Sequence, residues 1–215
     1  MTPDPALLET IAKAEKASLD FRIKKAAEHY KRFCKVLNID IGKGDTKDTP
    51  LRIARMFATE FTSGGSPTPP FNFTVFQPEG KDLVCVCGIR IVSLCAHHHL
   101  PFVGYAHFCY LPRDKMVGLS KIPRALKWIS KQPTVQEGLT RQALDFMVKN
   151  LDPHFAALTL TATHTCMSCR GVQEHEAHMT TTALWSEDND NDRFANTRAE
   201  FQHAINLWYQ TRNVL

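Results

Sequence analysis

Between Phe155 and Cys166 the sequence alternates almost strictly, and no other stretch constrains the fold as tightly. Leu158, Leu160, Ala162, His164 and Cys166 fall on one face of an extended segment, and Thr159, Thr161, Thr163 and Thr165 on the other. A period of two marks a β-strand whose opposite faces meet different environments. The pattern predicts a sheet, with an imidazole and a thiol leaving the same face near the end of one strand.

The segments on either side extend this reading. Leu83 to Cys95 is rich in Val, Ile and Cys, Phe102 to Leu111 is bounded by Pro101 and Pro112, and His178 to Trp185 is rich in threonine. All three read as strands. Between the first pair and the second lie two helical patterns. Ser120 is placed to cap one carrying Ile122, Leu126 and Ile129, and Thr134 opens another carrying Val135, Leu139, Ala143, Phe146 and Met147. An acidic loop from Ser186 to Asp192 leads to a last helix opened by Thr197, with Glu200 completing a capping box. Two strands, two helices and two strands predict an α+β fold, an antiparallel four-stranded sheet with two helices on one face.

The N-terminal part has a different period. Leu19, Ile23, Ala26, Tyr30, Phe33 and Leu37 recur at helical steps, and Asp48-Thr49-Pro50 starts a helix carrying Ile53, Met56, Phe57 and Phe61. The run from Ser63 to Pro70, full of Gly, Ser and Pro, ends it. The expected organisation is an N-terminal helical region over 1–65, a linker over 66–82 and an α+β domain over 83–215.

Composition excludes several classes. The longest apolar run, Ile89 to Val103, is interrupted by Arg90, Ser93 and three histidines, far short of the roughly 20 residues a bilayer requires. The first residues carry Asp4 and Glu9 and no apolar core of a signal peptide. Seven cysteines, an odd number, suit reduced thiols or metal ligands in the cytoplasm better than a disulfide framework. A formal charge of +4 is too mild to demand nucleic acid, yet suits a small polyanion if the cations converge.

Cys95-Ala96-His97-His98-His99 carries the most chemistry. Cys-x-x-His lets a thiolate and an imidazole reach one ion from a strand end and the turn beyond it, and zinc accepts such mixed donors. The second half is His164-Thr165-Cys166-Met167-Ser168-Cys169. Spacing leaves two arrangements open. Cys95, His98, Cys166 and Cys169 could close a structural Cys3His site. Alternatively, three residues hold the ion and the surplus histidines, His97 and His164, move protons. Cys34, Cys85, Cys87 and Cys109 sit in apolar periodic segments and read as buried packing residues.

From Asp48 to Phe201 the chain resembles the GTP cyclohydrolase I family. The resemblance rests on Asp48-Thr49-Pro50-Leu51-Arg52-Ile53-Ala54-Arg55-Met56, the Cys95–His98 cluster, Gly118-Leu119-Ser120-Lys121-Ile122-Pro123-Arg124 and Gln132-Pro133-Thr134-Val135-Gln136-Glu137-Gly138-Leu139-Thr140. It continues through His164-Thr165-Cys166 with Arg170-Gly171, Thr180-Thr181-Thr182 and Asn196-Thr197-Arg198-Ala199-Glu200-Phe201, in the family's order.

The resemblance implies the T-fold and a zinc-dependent opening of the guanine imidazole ring of GTP. That reaction releases C8 as formate and gives 7,8-dihydroneopterin triphosphate. It implies zinc on Cys95, His98 and Cys166, with His97 and His164 as acid/base groups and Gln136 and Glu137 reading guanine. Ser120, Lys121, Arg124 and Arg170 would contact the triphosphate, joined by Arg52 and Arg55 of a neighbouring subunit. It also implies a decamer of two stacked pentamers with active sites between subunits, in the cytoplasm.

Two residue-level alternatives accompany these roles. Without the resemblance, Glu137 reads as the last member of a Thr134–Glu137 capping box. Cys169, where relatives usually carry a small residue, could still close the site. Ala96 replaces a usual acidic residue, and His99 a usual apolar one. Two other functional classes fit less well: a nucleotide-binding scaffold with structural zinc, and a T-fold enzyme acting on another pterin or purine.

Overall fold

The computed structural model describes residues 5–41, 43–64, 68–188 and 193–212; of the expected linker, 66 and 67 lie outside these, as do 189–192 of the acidic loop. The chain divides into two compact units, Met1–Ser63 and Gly64–Leu215. In the first, α1 (Pro5–Val36) and α2 (Thr49–Met56, with Pro50 in its first turn) pack together and bury Ile23, Cys34 and Ala54. A π-helical turn, Phe57–Phe61, extends α2. The apolar stripe on α1 is only partly covered, since Phe33 is 55% and Leu37, just past its end, 54% exposed.

The second unit holds β1 (Val75–Phe76), β2 (Val84–Cys95), β3 (Pro101–Leu111), β4 (Met116–Val117), α3 (Lys121–Ile129) and β5 (Pro133–Thr134). It continues with α4 (Gln136–Leu151), β6 (Phe155–His164), α5 (Thr165–Ser168), β7 (Met179–Ser186) and α6 (Ala195–Arg212). The α+β class holds. The long strands run antiparallel in the order β2-β3-β6-β7, and β5 adds a parallel edge pair to β2, making five strands rather than four. Within the expected linker, β1 forms a small separate pairing with β4.

Alternation divides the sheet's faces. Phe102, Ala106, Phe108 and Tyr110 of β3 and Leu158, Leu160 and Ala162 of β6 meet α3 and α4 in the main core, through Ile122, Leu126, Leu139, Leu144 and Met147. The other face carries a threonine ladder, Thr159–Thr182 at 3.0 Å and Thr161–Thr180 at 2.9 Å. There α6 lays Phe201 and Ile205 beside Cys109, Phe155 and Ala157. Gly88, at φ +77°, sits where the β2–β3 register shifts between Val86 and Ile89, and a Cβ there would lie 2.2 Å from the Trp208 indole nitrogen. No helix among the described residues is long and apolar enough to cross a membrane.

Several helix starts differ from expectation. Gln136, not Thr134, begins α4, and its N-cap Val135 offers no side-chain cap, so the Thr134–Glu137 box does not form. Ser120 occupies the N-cap of α3 but makes no capping hydrogen bond, and α6 begins two residues before Thr197. The alternating strand stops at His164. Cys166 therefore lies in the four-residue α5, not on the strand face shared with His164.

Candidate metal centre and active site

Cys95 ends β2, and a tight turn follows. The His99 amide donates to the Cys95 carbonyl at 2.8 Å and the Cys95 amide to the Leu100 carbonyl at 2.9 Å. His99 adopts φ 51°, a left-handed geometry that closes the turn. α5 is tied to the start of β3, because the Thr165 hydroxyl donates to the Pro101 carbonyl at 2.6 Å. These ties bring the two halves of the sequence motif together. Donor atoms of Cys95, His98 and Cys166 all lie within 4.8 Å of one another. Two sulfurs and one imidazole nitrogen form a borderline-soft donor set of the kind that holds zinc.

Cys169 is not in this group. It is exposed, and its thiol donates to the Thr165 carbonyl at 2.7 Å. Burial and the adjacent Cys95 thiol push the Cys166 thiol above its ordinary value, so loading a metal entails releasing a proton.

Of the other predicted residues, His97 and Arg170 touch members of the group. His97 is exposed, with Nδ1 3.5 Å from Cys95 Sγ. Arg170 places Nη1 2.9 Å from His98 Nε2. His164 stacks on Phe102 with ring centroids 4.6 Å apart and planes inclined by 12°. Burial lowers its pKa, and the Glu137 carboxylate acts in the opposite direction. Glu137 is exposed at the start of α4, and its carboxylate makes no hydrogen bond to another described residue. Ser120, Lys121 and Arg124 cluster at the N-terminus of α3, where backbone N–H groups favour anions. Arg52 and Arg55 belong to α2 in the other compact unit, where Arg52 Nη1 donates to the Asp45 carbonyl at 3.2 Å.

Gln136 behaves unlike its neighbour. It is 1% exposed. Its Nε2 faces the carbonyls of Leu160 at 2.9 Å and Met179 at 3.0 Å and the Thr181 hydroxyl at 3.1 Å. Three acceptors around one atom fix it as the amide nitrogen, so Oε1 is the atom 2.8 Å from His164 Nε2. A carbonyl oxygen only accepts, which places the hydrogen on His164 Nε2. Thr140 supports the assembly, donating to the Gln136 carbonyl at 2.8 Å and meeting Thr181 Oγ1 at 2.6 Å. The resemblance pairs Gln136 with Glu137 and assigns Phe102 no part, while Thr140 and Thr181 fall within its motifs without a stated role. No local sequence pattern announces this role, because the burial of the amide and the absence of a cap at Thr134 arise only from tertiary pairing.

The family model described as GTP cyclohydrolase I matches residues 26–206. The chain belongs to the GTP cyclohydrolase I family. The match starts upstream of the motifs that carry the resemblance and takes in the last third of α1. Among similar proteins, the GTP cyclohydrolase 1 of Photobacterium profundum is 35% identical over 200 residues, 92% of this chain and 91% of that one. That of Streptococcus pyogenes is 40% identical over 162 residues, covering 74% and 80%. That of Geobacillus kaustophilus is 40% identical over 160 residues, covering 74% and 83%.

Proposed function

We propose that this chain is a zinc-dependent GTP cyclohydrolase I, converting GTP and water to formate and 7,8-dihydroneopterin triphosphate. Within the family, the observation that carries this reading is the three-donor group of Cys95, His98 and Cys166, from which Cys169 is turned away. Catalytic zinc sites characteristically use three protein ligands, whereas structural ones use four. Zinc held there would supply Lewis-acid activation of water at neutral pH.

The remaining chemistry falls to the side chains. Adding water at C8 drives electrons onto N7 of the purine, which must gain a proton as the ring opens. His164 supplies it. Because Gln136 engages Nε2–H, Nδ1 is the nitrogen that exchanges the proton. His97, exposed at the rim, assists at the ribose and the water. Glu137, free of any capping role, accepts from guanine N1–H and the 2-amino group together. Adenine would leave that carboxylate unpaired. Gln136 is better suited to holding His164 than to reading the base, since its hydrogen-bonding capacity is spent inside the protein.

Ser120, Lys121, Arg124 and Arg170 bind the triphosphate, with Arg52 and Arg55 supplied by a neighbouring subunit. The assembly is a decamer of two stacked pentamers. Apolar surface on α1, with Phe21 61% and Val36 79% exposed, supports burial against another copy. Seven free thiols suit the cytoplasm.

The test is incubation of metal-loaded protein with GTP, following pterin fluorescence after oxidation together with released formate, with ATP as control. Equimolar pterin and formate from GTP alone is the expected result. No pterin from a fully metallated oligomer refutes the proposal.

A further inference from the structure

Away from the metal centre, the face of the sheet beneath α6 carries a cluster of thiols that the reaction does not use. Cys85 on β2 and Cys109 on β3 are direct cross-strand partners. Opposite residues in antiparallel strands have Cα atoms about 4.5 or 5.5 Å apart, and both spacings fall in the disulfide range of roughly 4.4–6.8 Å. Alternation points both side chains to the same face, where each thiol shifts the acidity of the other. Cys109 is fully buried among Phe155, Ala157, Phe201 and Ile205, while Cys85 is half-buried at the edge of that cluster.

Cys87, two residues on, has no opposite number, because the register shifts between Val86 and Ile89. Burial pushes its thiol up to about 11, whereas the Cys109 contact holds Cys85 below its ordinary value. The bulge beside Cys85 gives the strand slack to close the remaining distance between sulfurs. Cys95 lies at the far end of β2, about 30 Å away at roughly 3.3 Å per residue.

The geometry points to Cys85 and Cys109 as a reversible, oxidant-responsive disulfide that staples β2 to β3 and leaves the Cys95–His98–Cys166 group untouched. The oxidant is a hydroperoxide. The Cys85 thiolate attacks its terminal oxygen, the O–O bond breaks, and the leaving oxygen departs with a proton as water or alcohol. The resulting sulfenic acid is then attacked by the Cys109 sulfur. The S–S bond forms, the S–O bond breaks, and water leaves with the Cys109 proton. Overall, two thiol hydrogens and one hydroperoxide are consumed with hydrogen peroxide yielding two waters, and an external dithiol reverses the link.

Full-length, zinc-loaded protein treated with hydrogen peroxide, quenched with N-ethylmaleimide and digested with trypsin tests this. The expected product is a dithiol-sensitive link between the Asp82–Arg90 and Ile91–Arg113 peptides, with zinc retained. The link should persist in Cys87→Ala and vanish in Cys85→Ala. Loss of the link in Cys109→Ala separates it from Cys95 on the same peptide, and fragment masses of the wild-type linked peptide make that distinction if the variant does not fold. A link that disappears in Cys87→Ala, one that maps to Cys95, or complete alkylation of Cys85 and Cys109 after peroxide overturns the inference.

Discussion

Replacing Gln136 by Leu keeps the buried volume and removes every hydrogen bond the side chain makes. The Leu160 and Met179 carbonyls lose a donor, Thr181 loses a partner, and His164 Nε2–H loses its acceptor. A buried polar group stripped of its partner costs about 1–3 kcal/mol, so one or two such groups left unpaired would destabilise the fold by about 1–6 kcal/mol. The effect on turnover has a separate origin. General acid–base catalysis contributes roughly 10²- to 10⁴-fold, and an imidazole that is present but no longer oriented forfeits part of it. We expect kcat to fall about 100-fold, equivalent to about 3 kcal/mol, with KM for GTP changed little. Steady-state kinetics on protein verified as folded and metallated measures this. Repeating Gln136→Leu in a His164→Ala background completes a cycle in which the second substitution should cost almost nothing more. A folded, metallated variant with kcat within twofold of wild type refutes the positioning role. So does an equal loss in both backgrounds.

Glu137→Gln should raise KM for GTP about 10- to 100-fold, the worth of a charge-assisted hydrogen-bonded pair, while zinc content stays unchanged; an unaltered KM removes Glu137 from base recognition. Cys169→Ala should retain full zinc stoichiometry by elemental analysis and activity within about twofold, because its thiol serves only the Thr165 carbonyl; metal loss would make it a fourth ligand. His107, fully buried with Nδ1 accepting from the Gly88 amide at 3.4 Å and Nε2 lacking a hydrogen-bond partner among the described residues, has a pKa lowered by burial to about 4. Its neutral form is the one the fold keeps, so the contribution is complete above about pH 6.5 and is lost as pH falls toward 4, by at most about 3 kcal/mol. Urea midpoints of His107→Gln should therefore fall less than those of wild type between pH 7 and pH 4.5, and parallel curves would contradict the assignment.

The long strands and core helices were legible because their residues repeat. Phe155–His164 alternates where β6 runs, and Ile122, Leu126 and Ile129 mark the buried side of α3. Local chemistry was less legible, because it depends on where a repeat stops. Alternation through Thr165 and Cys166 continues in the sequence after the backbone has turned into α5, since the Thr165 hydroxyl finds the Pro101 carbonyl. A cap at Thr134 looked favourable by local pattern, yet Pro133 and Thr134 pair with Leu94 and Cys95 instead, which draws the helix start on to Gln136. Tertiary hydrogen bonds outweighed a local preference worth about 1 kcal/mol.

That two-residue β5 explains how distant motifs become one site. It pairs Cys95 with Thr134, and the Ala96 amide donates to the Thr134 carbonyl at 3.0 Å, so the first turn of α4 is fixed beside the candidate metal donor that ends β2. On the other side, Phe102 pairs with His164, which fixes the end of β6 beside the start of β3. Gln136 then spans the remaining gap, reaching from the start of α4 to His164 and to the backbone of β6 and β7. A segment of two residues has no period, so no sequence pattern announces it. Yet it sets Glu137 relative to Cys95, and Gln136 sets His164 relative to both. The residues proposed for base recognition and proton transfer are thus referenced to the same strand ends that carry the candidate metal donors. A substitution that moves β5 should therefore disturb KM and kcat together, whereas one confined to Glu137 or to Gln136 separates them.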